Sequence, residues 1–209
     1  MRLGILTPSN GMMYSEADTA QKSMLIRTAC WMQKTFGAEG EIKLLTTNRA
    51  YIPQARAILL KAAIESECDW CLWLDDDMIP PPDMVERLYR HTEGGRKVVG
   101  ALASRKIVPA EPVAFRLKPG VGLVPMASCD LGPEAGLVEV DATGMANVLV
   151  HTSVMHQVNQ ASNGLPFQFI VGYNAEDLHF WNIARALGHK FYIDCSIRCG
   201  HVGVKEYGV

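Results

Sequence analysis

Three consecutive carboxylates are the residues of this sequence that most clearly suggest chemistry. Asp75, Asp76 and Asp77 directly follow the apolar run 70–74, and prolines follow at 80–82. Such a run predicts a buried strand, and the prolines prevent it from continuing as strand or helix. Adjacent like charges repel, and Mg²⁺ or Mn²⁺ would remove that cost while also binding phosphate oxygens. The residues therefore predict a site for a metal ion and a diphosphate, with a solvated acidic loop as the alternative.

A second pair of carboxylates, Glu176 and Asp177, opens the helical pattern at 174–187. A carboxylate can take the proton of an attacking hydroxyl group, so a general base is one interpretation. The other is that acidic residues in a first helical turn satisfy free amides and complement the helix dipole. The preceding run 167–173 favours the base, because it leads the pair toward the same sheet edge as Asp77.

His201 and Lys205 lie in the glycine-rich tail of the sequence. His201 stands between Gly200 and Gly203, where the backbone can approach a ligand closely. A lone histidine is more often structural than a ligand. If the tail folds over a diphosphate, Lys205 would offset part of its charge.

Two cysteine pairs, Cys68 with Cys71 and Cys195 with Cys199, have spacings that also occur in zinc sites. If Cys195 and Cys199 lie on one strand, they are about 13 Å apart, at roughly 3.3 Å per residue, which is too far for one tetrahedral ion. If the stretch 68–71 is extended, Cys68 and Cys71 point to opposite faces, because they are an odd number of residues apart. Buried free thiols are therefore favoured over structural zinc.

The elements that must position these side chains alternate between strands and helices. In the first half, strands are predicted at 3–6, 42–45, 70–74 and 98–103, and helices at 16–36, 53–64 and 82–89. This order predicts an α/β fold with a mostly parallel sheet and helices on both faces, whose carboxyl edge binds ligands.

The second half of the sequence differs from the first in composition and in the pattern of its apolar residues. Residues 109–136 are rich in proline, glycine and short extended pieces, which predicts surface loops and a small antiparallel edge. Further strands are predicted at 138–140, 147–150 and 191–194, and further helices at 152–160 and 174–187.

Composition limits the function only broadly. The chain has 209 residues, 48% hydrophobic and 20% charged, which fits one compact domain. The formal charge of -2 gives no global positive field for a nucleic-acid backbone. No stretch is long and apolar enough for a signal peptide or a membrane span, so a cytoplasmic protein is expected.

Several of these motifs, taken in order, resemble those of GT-A glycosyltransferases, especially the family of cellulose-synthase and chitin-synthase relatives that transfers single sugars. The stretch 72–83 is similar to their Asp-X-Asp segment, with Asp75 and Asp77 as the two aspartates. Residues 172–177 resemble their Glu-Asp motif, and residues 199–203 resemble a terminal segment whose histidine completes a metal shell. The fold implied by the resemblance is Rossmann-like.

The resemblance also extends to contacts with the nucleotide. Thr7 and Pro8 are similar to the first-strand turn that holds the base, and Arg56 matches an arginine near the nucleotide. Asp76, between the two matched aspartates, is grouped with these contacts. A glycine-containing segment that borders sugar and acceptor corresponds to 141–147, although an ordinary turn explains that segment equally well.

The resemblance implies a single domain over residues 1–209, with a nucleotide-binding half at 1–105 and an acceptor-side half at 106–209. Asp75, Asp77 and His201 would hold Mn²⁺ or Mg²⁺, and the donor would be a UDP- or GDP-sugar. Asp177 has the position of the catalytic base, with Glu176 supporting it. Inversion at the anomeric carbon is expected, with retention left open. The acceptor is open among a glycan, a lipid-linked sugar, a small molecule and a modified nucleic-acid base.

Two other functions share part of this pattern. A nucleotidyltransferase also has carboxylates at a strand end, but it usually needs a basic, glycine-rich loop after its first strand, and the segment 7–11 has no basic residue. The second alternative is a catalytically inactive binding protein with the same fold.

Overall fold

Strands and helices alternate along most of the chain, as the sequence predicts. A computed structural model describes residues 1–106, 111–169 and 175–203. The strands are β1 (Arg2–Thr7), β2 (Glu41–Thr46), β3 (Trp70–Trp73), β4 (Met78–Ile79), β5 (Val98–Leu102), β6 (Ala114–Lys118), β7 (Gly122–Pro125), β8 (Leu137–Val140), β9 (Ala142–Thr143), β10 (Val148–His151), β11 (Phe191–Arg198) and β12 (Gly200–His201). The α-helices are α1 (Ser15–Phe36), α2 (Ile52–Glu65), α3 (Met84–Arg90), α4 (Thr152–Ala161) and α5 (Asp177–Ala186).

Seven strands form the central sheet, in the order β2-β1-β3-β10-β5-β11-β8. The pairs β1–β2, β1–β3 and β5–β11 are parallel, and β10 and β8 run antiparallel to their neighbours. Five of the seven strands therefore share one direction, which confirms the predicted mostly parallel sheet. The insertion of β10 between β3 and β5 was not predicted, because an apolar run of four residues carries no information about its direction or its partners.

Helices cover both faces of this sheet, as predicted. Helices α1 and α3 pack on one face in a hydrophobic cluster that contains Leu72 of β3. Helices α2, α4 and α5 pack on the other face, in a cluster that contains Cys71 and Trp73. Successive residues of β3 thus serve opposite cores, as the pleat of a strand requires, and all four residues of β3 are buried.

Two small antiparallel sheets lie beside the central one. Strands β7, β6 and β9 form a three-stranded sheet, which confirms the predicted antiparallel edge. Strands β4 and β12 pair so that His201 is opposite Met78, the residue after Asp77. This short ladder brings the tail of the chain to the acidic segment.

Some element boundaries differ from the predicted ones. Helix α3 begins at Met84 rather than at residue 82, after a turn in which the amide of Met84 donates to the carbonyl of Pro81. Helix α5 begins at Asp177, and the predicted start at Asn174 lies outside the described residues. Strand β11 continues four residues beyond the predicted end, to Arg198.

Two further expectations concern cysteines and membranes. All six cysteines are free, and four of them are buried: Cys68, Cys71, Cys195 and Cys199. The prediction of buried thiols is therefore confirmed for these four residues. No helix within the described ranges is long and apolar enough to cross a membrane.

Candidate functional site

The three consecutive aspartates form a tight turn after β3. The amide of Met78 donates to the carbonyl oxygen of Asp75 over 3.3 Å, which closes the turn. Gln21 of α1 fixes it from the side, because its Nε2 lies 2.9 Å from the carbonyl oxygen of Asp75 and 3.1 Å from that of Met78. The acidic segment is therefore held by the first helix, a contact that sequence analysis did not identify.

Arg56 of α2 joins this turn to the second carboxylate pair. Its Nη2 lies 3.1 Å from both carboxylate oxygens of Asp75, and its Nη1 donates to Oε1 of Glu176 over 2.6 Å. Oδ2 of Asp177 is 3.9 Å from Nη1. Arg56 is only 4% exposed, so its charge interacts mainly with these carboxylates and little with solvent. The resemblance predicts that Arg56 lies near the nucleotide; in this structure its guanidinium group links three acidic side chains.

Burial and the charge of Arg56 have opposite effects on the pKa values of Asp75 and Asp177. Burial raises the pKa of Asp75, and Arg56 opposes that rise. Burial also raises the pKa of Asp177, to about 6, because the pull of Arg56 is partly cancelled by the negative charge of Glu176. One guanidinium group cannot fully compensate the buried Glu176 and the part-buried Asp75 and Asp177, and Asp177 is the most distant of the three.

The contacts of Asp177 differ from those of a helix cap. Its Oδ2 accepts a hydrogen bond of 3.1 Å from the amide of Met145, in the loop before β10. Its Oδ1 is buried and receives no hydrogen bond from the described residues. Glu176, the N-cap residue of α5, makes no side-chain cap. The hydrogen bonds therefore give no support to a capping role, although both carboxylates still lie at the favourable end of the helix dipole.

Asp77 meets His201 and Lys106 at the other side of the turn. Oδ1 of Asp77 is 3.2 Å from Nε2 of His201, and Oδ2 accepts a hydrogen bond from the ammonium group of Lys106. Burial raises the pKa of Asp77, but the contacts with His201 and Lys106 outweigh it and leave that pKa below its ordinary value. Lys106 gave no signal in the sequence, because a single lysine after a strand is ordinary.

The imidazole ring of His201 is oriented by its second nitrogen. Nδ1 lies 2.9 Å from the carbonyl oxygen of Ser104 and must donate to it. In the neutral ring, Nε2 then presents a lone pair to the carboxylate of Asp77, which requires a proton or a metal ion between them. A backbone carbonyl on the outer nitrogen is the usual support of a metal-binding histidine.

Asp77 and His201 fit two neighbouring ligands of one cation. Two adjacent ligands at about 2.1 Å from an octahedral ion lie about 3.0 Å apart, close to the observed spacing. Oδ1 of Asp77 is also buried without a hydrogen bond of good geometry from the described residues. Across those same ranges, however, no group of three or more His, Cys, Asp or Glu side chains is placed to hold a metal ion. A cation here would have to complete its shell with water and diphosphate oxygens, as Mg²⁺ commonly does.

The remaining predicted residues are spread along the same edge or fall outside the description. Oδ2 of Asp76 is buried and receives no hydrogen bond from a described residue. Thr7 ends β1 and Pro8 follows it, and the carbonyl oxygen of Thr7 accepts hydrogen bonds from the backbone of Thr47 and the side chain of Thr46. Lys205 lies outside the described residues.

A cavity of about 290 Å³ opens beside Thr7, between α1 and the carboxyl ends of β1 and β2. Its walls are largely apolar and include Met13, Leu45 and Leu74. Gln21, which fixes the aspartate turn, is part of the same wall. The cavity and the aspartate turn are therefore neighbours.

Comparisons with known proteins show the fold. No protein-family profile matches the chain, and no curated protein matches it by sequence. Among solved structures, A197 from STIV is similar over 98% of this chain and 87% of its own, with 15% identity and a TM-score of 0.66. GalNAc-T7, solved with UDP, GalNAc and Mn²⁺, is similar over 98% of this chain and 44% of its own, with 13% identity and a TM-score of 0.64. These similarities confirm the predicted GT-A fold, and at such identities they concern the fold alone.

Proposed function

We propose that this chain is a metal-dependent glycosyltransferase, which moves a sugar from a nucleotide-sugar to an acceptor hydroxyl group. The observation that carries the proposal is the meeting of two parts at one sheet edge. One part is the pair Asp77 and His201, which suits a cation bound to diphosphate. The other is Asp177, whose side chain is 15% exposed and whose pKa of about 6 suits a general base near neutral pH. The GT-A fold, shared with a protein solved with UDP and Mn²⁺, supports the same function.

On the donor side, Asp77 and His201 would hold Mn²⁺ or Mg²⁺, with His201 oriented by the carbonyl of Ser104. The bound metal supplies electrostatic stabilisation of the departing diphosphate. Asp75 remains a predicted ligand, because each of its oxygens has a second lone pair besides the one that faces Arg56. The nucleotide base is assigned to the cavity beside Thr7, because an open slot with apolar walls suits a planar heterocycle.

On the acceptor side, Asp177 takes the proton of the attacking hydroxyl group. The amide of Met145 holds Oδ2 in place, which leaves Oδ1, without a hydrogen bond from the described part of the chain, to accept that proton. Arg56 offsets the charges of Glu176 and Asp75, and burial raises the pKa of Asp177 to about 6, so the proton of Asp177 exchanges near neutral pH. Attack from the side opposite the diphosphate would invert the configuration of the anomeric carbon. NMR of the product determines that configuration.

Calorimetric titration of UDP and GDP, with and without Mn²⁺, tests the donor side. The wild-type protein should bind one of these nucleotides only when Mn²⁺ is present, and Asp77→Ala should abolish that binding. Asp83→Ala is the matched control, because Asp83 is an exposed carboxylate at the start of α3 that is paired with Arg87. Nucleotide affinity that is unchanged by EDTA would contradict the proposal.

A panel of nucleotide-sugars, assayed for hydrolysis and for transfer to simple acceptors, tests the reaction. Asp177→Asn should retain donor binding while transfer falls by roughly two to four orders of magnitude. Binding without any turnover would indicate an inactive binding protein. Release of pyrophosphate from a nucleoside triphosphate and a sugar phosphate would indicate a nucleotidyltransferase.

A further inference from the structure

The second oxygen of Asp77 is occupied by a cation of the protein itself. The ammonium group of Lys106 donates to Oδ2, while Oδ1 faces His201. The aliphatic part of Lys106 lies beside Gly203, where an added Cβ would be 3.5 Å from Cδ. The side chain of Lys106 is 39% exposed and that of Asp77 is 19% exposed. The ammonium group can therefore leave Asp77 for solvent or a ligand without crossing the protein interior.

A divalent cation on Asp77 and His201 would compete with this ammonium group. Both cations need the same carboxylate, and like charges a few ångströms apart repel each other. Binding of the metal should therefore release Lys106. The nearest new negative charge is the diphosphate that the metal carries. A lysine suits this exchange, because its ammonium group is a point charge on a flexible stem with three rotatable donors.

We propose that Lys106 is an exchangeable counter-cation, which pairs with Asp77 in the metal-free protein and binds the nucleotide diphosphate once the metal has taken Asp77. This role rests on the proposed function. In the transfer step, the bond from the anomeric carbon to the diphosphate breaks and its electron pair stays on the diphosphate oxygen. The acceptor oxygen forms the new bond, and its proton passes to Asp177. Lys106 offsets the charge that accumulates on the diphosphate.

Two binding measurements on Lys106→Met test this role, because they should change in opposite directions. Titration with Mn²⁺ alone, followed by the EPR signal of free Mn²⁺, should show about two- to fivefold tighter binding, since a half-exposed ion pair no longer competes. Calorimetric titration with UDP or GDP at saturating Mn²⁺ should show binding weakened by about tenfold or more, since a charged donor to the diphosphate is lost. A merely structural lysine would not produce this pair of effects.

Two further variants serve as controls. Lys106→Arg keeps the positive charge and should retain Mn²⁺ affinity close to wild type, with nucleotide affinity between those of the wild type and Lys106→Met. Lys34→Met removes an exposed lysine in the last turn of α1 and should leave both affinities unchanged.

The outcomes separate this role from the proposed function. If the wild type binds Mn²⁺ and nucleotide but Lys106→Met binds Mn²⁺ no more tightly, or binds nucleotide equally well, the role of Lys106 is wrong and the proposed function stands. If the wild type binds neither Mn²⁺ nor nucleotide, the proposed function is wrong and the role of Lys106 falls with it.

Discussion

Replacing Asp177 with asparagine should make the folded protein more stable at pH 8, although it removes the proposed catalytic base. Burial, opposed by Arg56 and aided by Glu176, raises the pKa of Asp177 from an ordinary 3.8 to about 6. An acid whose pKa is higher in the folded protein than in the unfolded chain stabilises the fold while it is protonated. That contribution is fully present below the unfolded pKa and is lost as the pH rises through the folded pKa of about 6.

The size of the effect follows from the two pKa values. Each pKa unit corresponds to about 1.4 kcal/mol. The rise from 3.8 to about 6 therefore lowers the free energy of unfolding by about 3 kcal/mol at pH 8, where Asp177 is ionised in both states. At about pH 5 Asp177 is mostly protonated in the folded protein, and the cost is about half as large. Asparagine does not ionise, and its carbonyl oxygen can still accept the hydrogen bond from Met145. The free energy of unfolding of Asp177→Asn should therefore exceed that of the wild type by about 3 kcal/mol at pH 8 and by about half of that at pH 5.

Urea denaturation of both proteins at the two pH values measures this difference. Glu176→Gln is the matched control, because it makes the same change of carboxylate to amide at the neighbouring position. Glu176 pairs with the buried Arg56, so its replacement should destabilise the protein instead. If Asp177→Asn is less stable than wild type at pH 8, or if its gain in stability is the same at both pH values, the ionised carboxylate of Asp177 does not destabilise the fold.

Three other outcomes are expected from the same site. The transfer rate should rise with pH through about 6, as Asp177 loses its proton, and a profile of kcat/KM from pH 5 to 8 that is flat would contradict this. Arg56→Met should lower the free energy of unfolding in urea by about 3–5 kcal/mol, because it leaves the buried Glu176 and the part-buried Asp75 without their cation; a change below about 1 kcal/mol would show that solvent compensates them. His201→Ala should weaken Mn²⁺ binding by more than the roughly tenfold that loss of an outer-shell partner costs, and an unchanged affinity would exclude it as a ligand.

The elements that hold the aspartate turn were predictable from the sequence, because strong local patterns define them. The apolar run of β3 and the prolines after it predict three aspartates at the end of a buried strand, and this prediction uses no residue outside that segment. Helix α2 has a proline in its first turn and was predicted almost to its ends. Such patterns depend on residues that are close together in the chain.

The contacts that complete the site were not predictable in the same way. Arg56 and Glu176 are 120 residues apart, and nothing local shows that one neutralises the other. The resemblance predicted that Arg56 lies near the nucleotide, and it gave no indication that Asp75 and Glu176 would contact the same guanidinium group. Lys106 reaches Asp77 across 29 residues and belongs to no motif. Pairings of this kind are decided by the tertiary fold, and a single sequence carries no trace of them.

The position of β10 between β3 and β5 has a consequence for how the chain folds as it is synthesised. When residue 105 has left the ribosome, β1, β2 and β3 can already pair, but β5 has no neighbour, since both of its partners, β10 and β11, come later in the chain. The open edges of β3 and β5 must therefore wait for at least 46 further residues, up to His151 at the end of β10. Long-range strand pairing of this kind slows folding and exposes unpaired edges to other chains. Nascent chains that stop before β10 should thus be the species that depend most on chaperones.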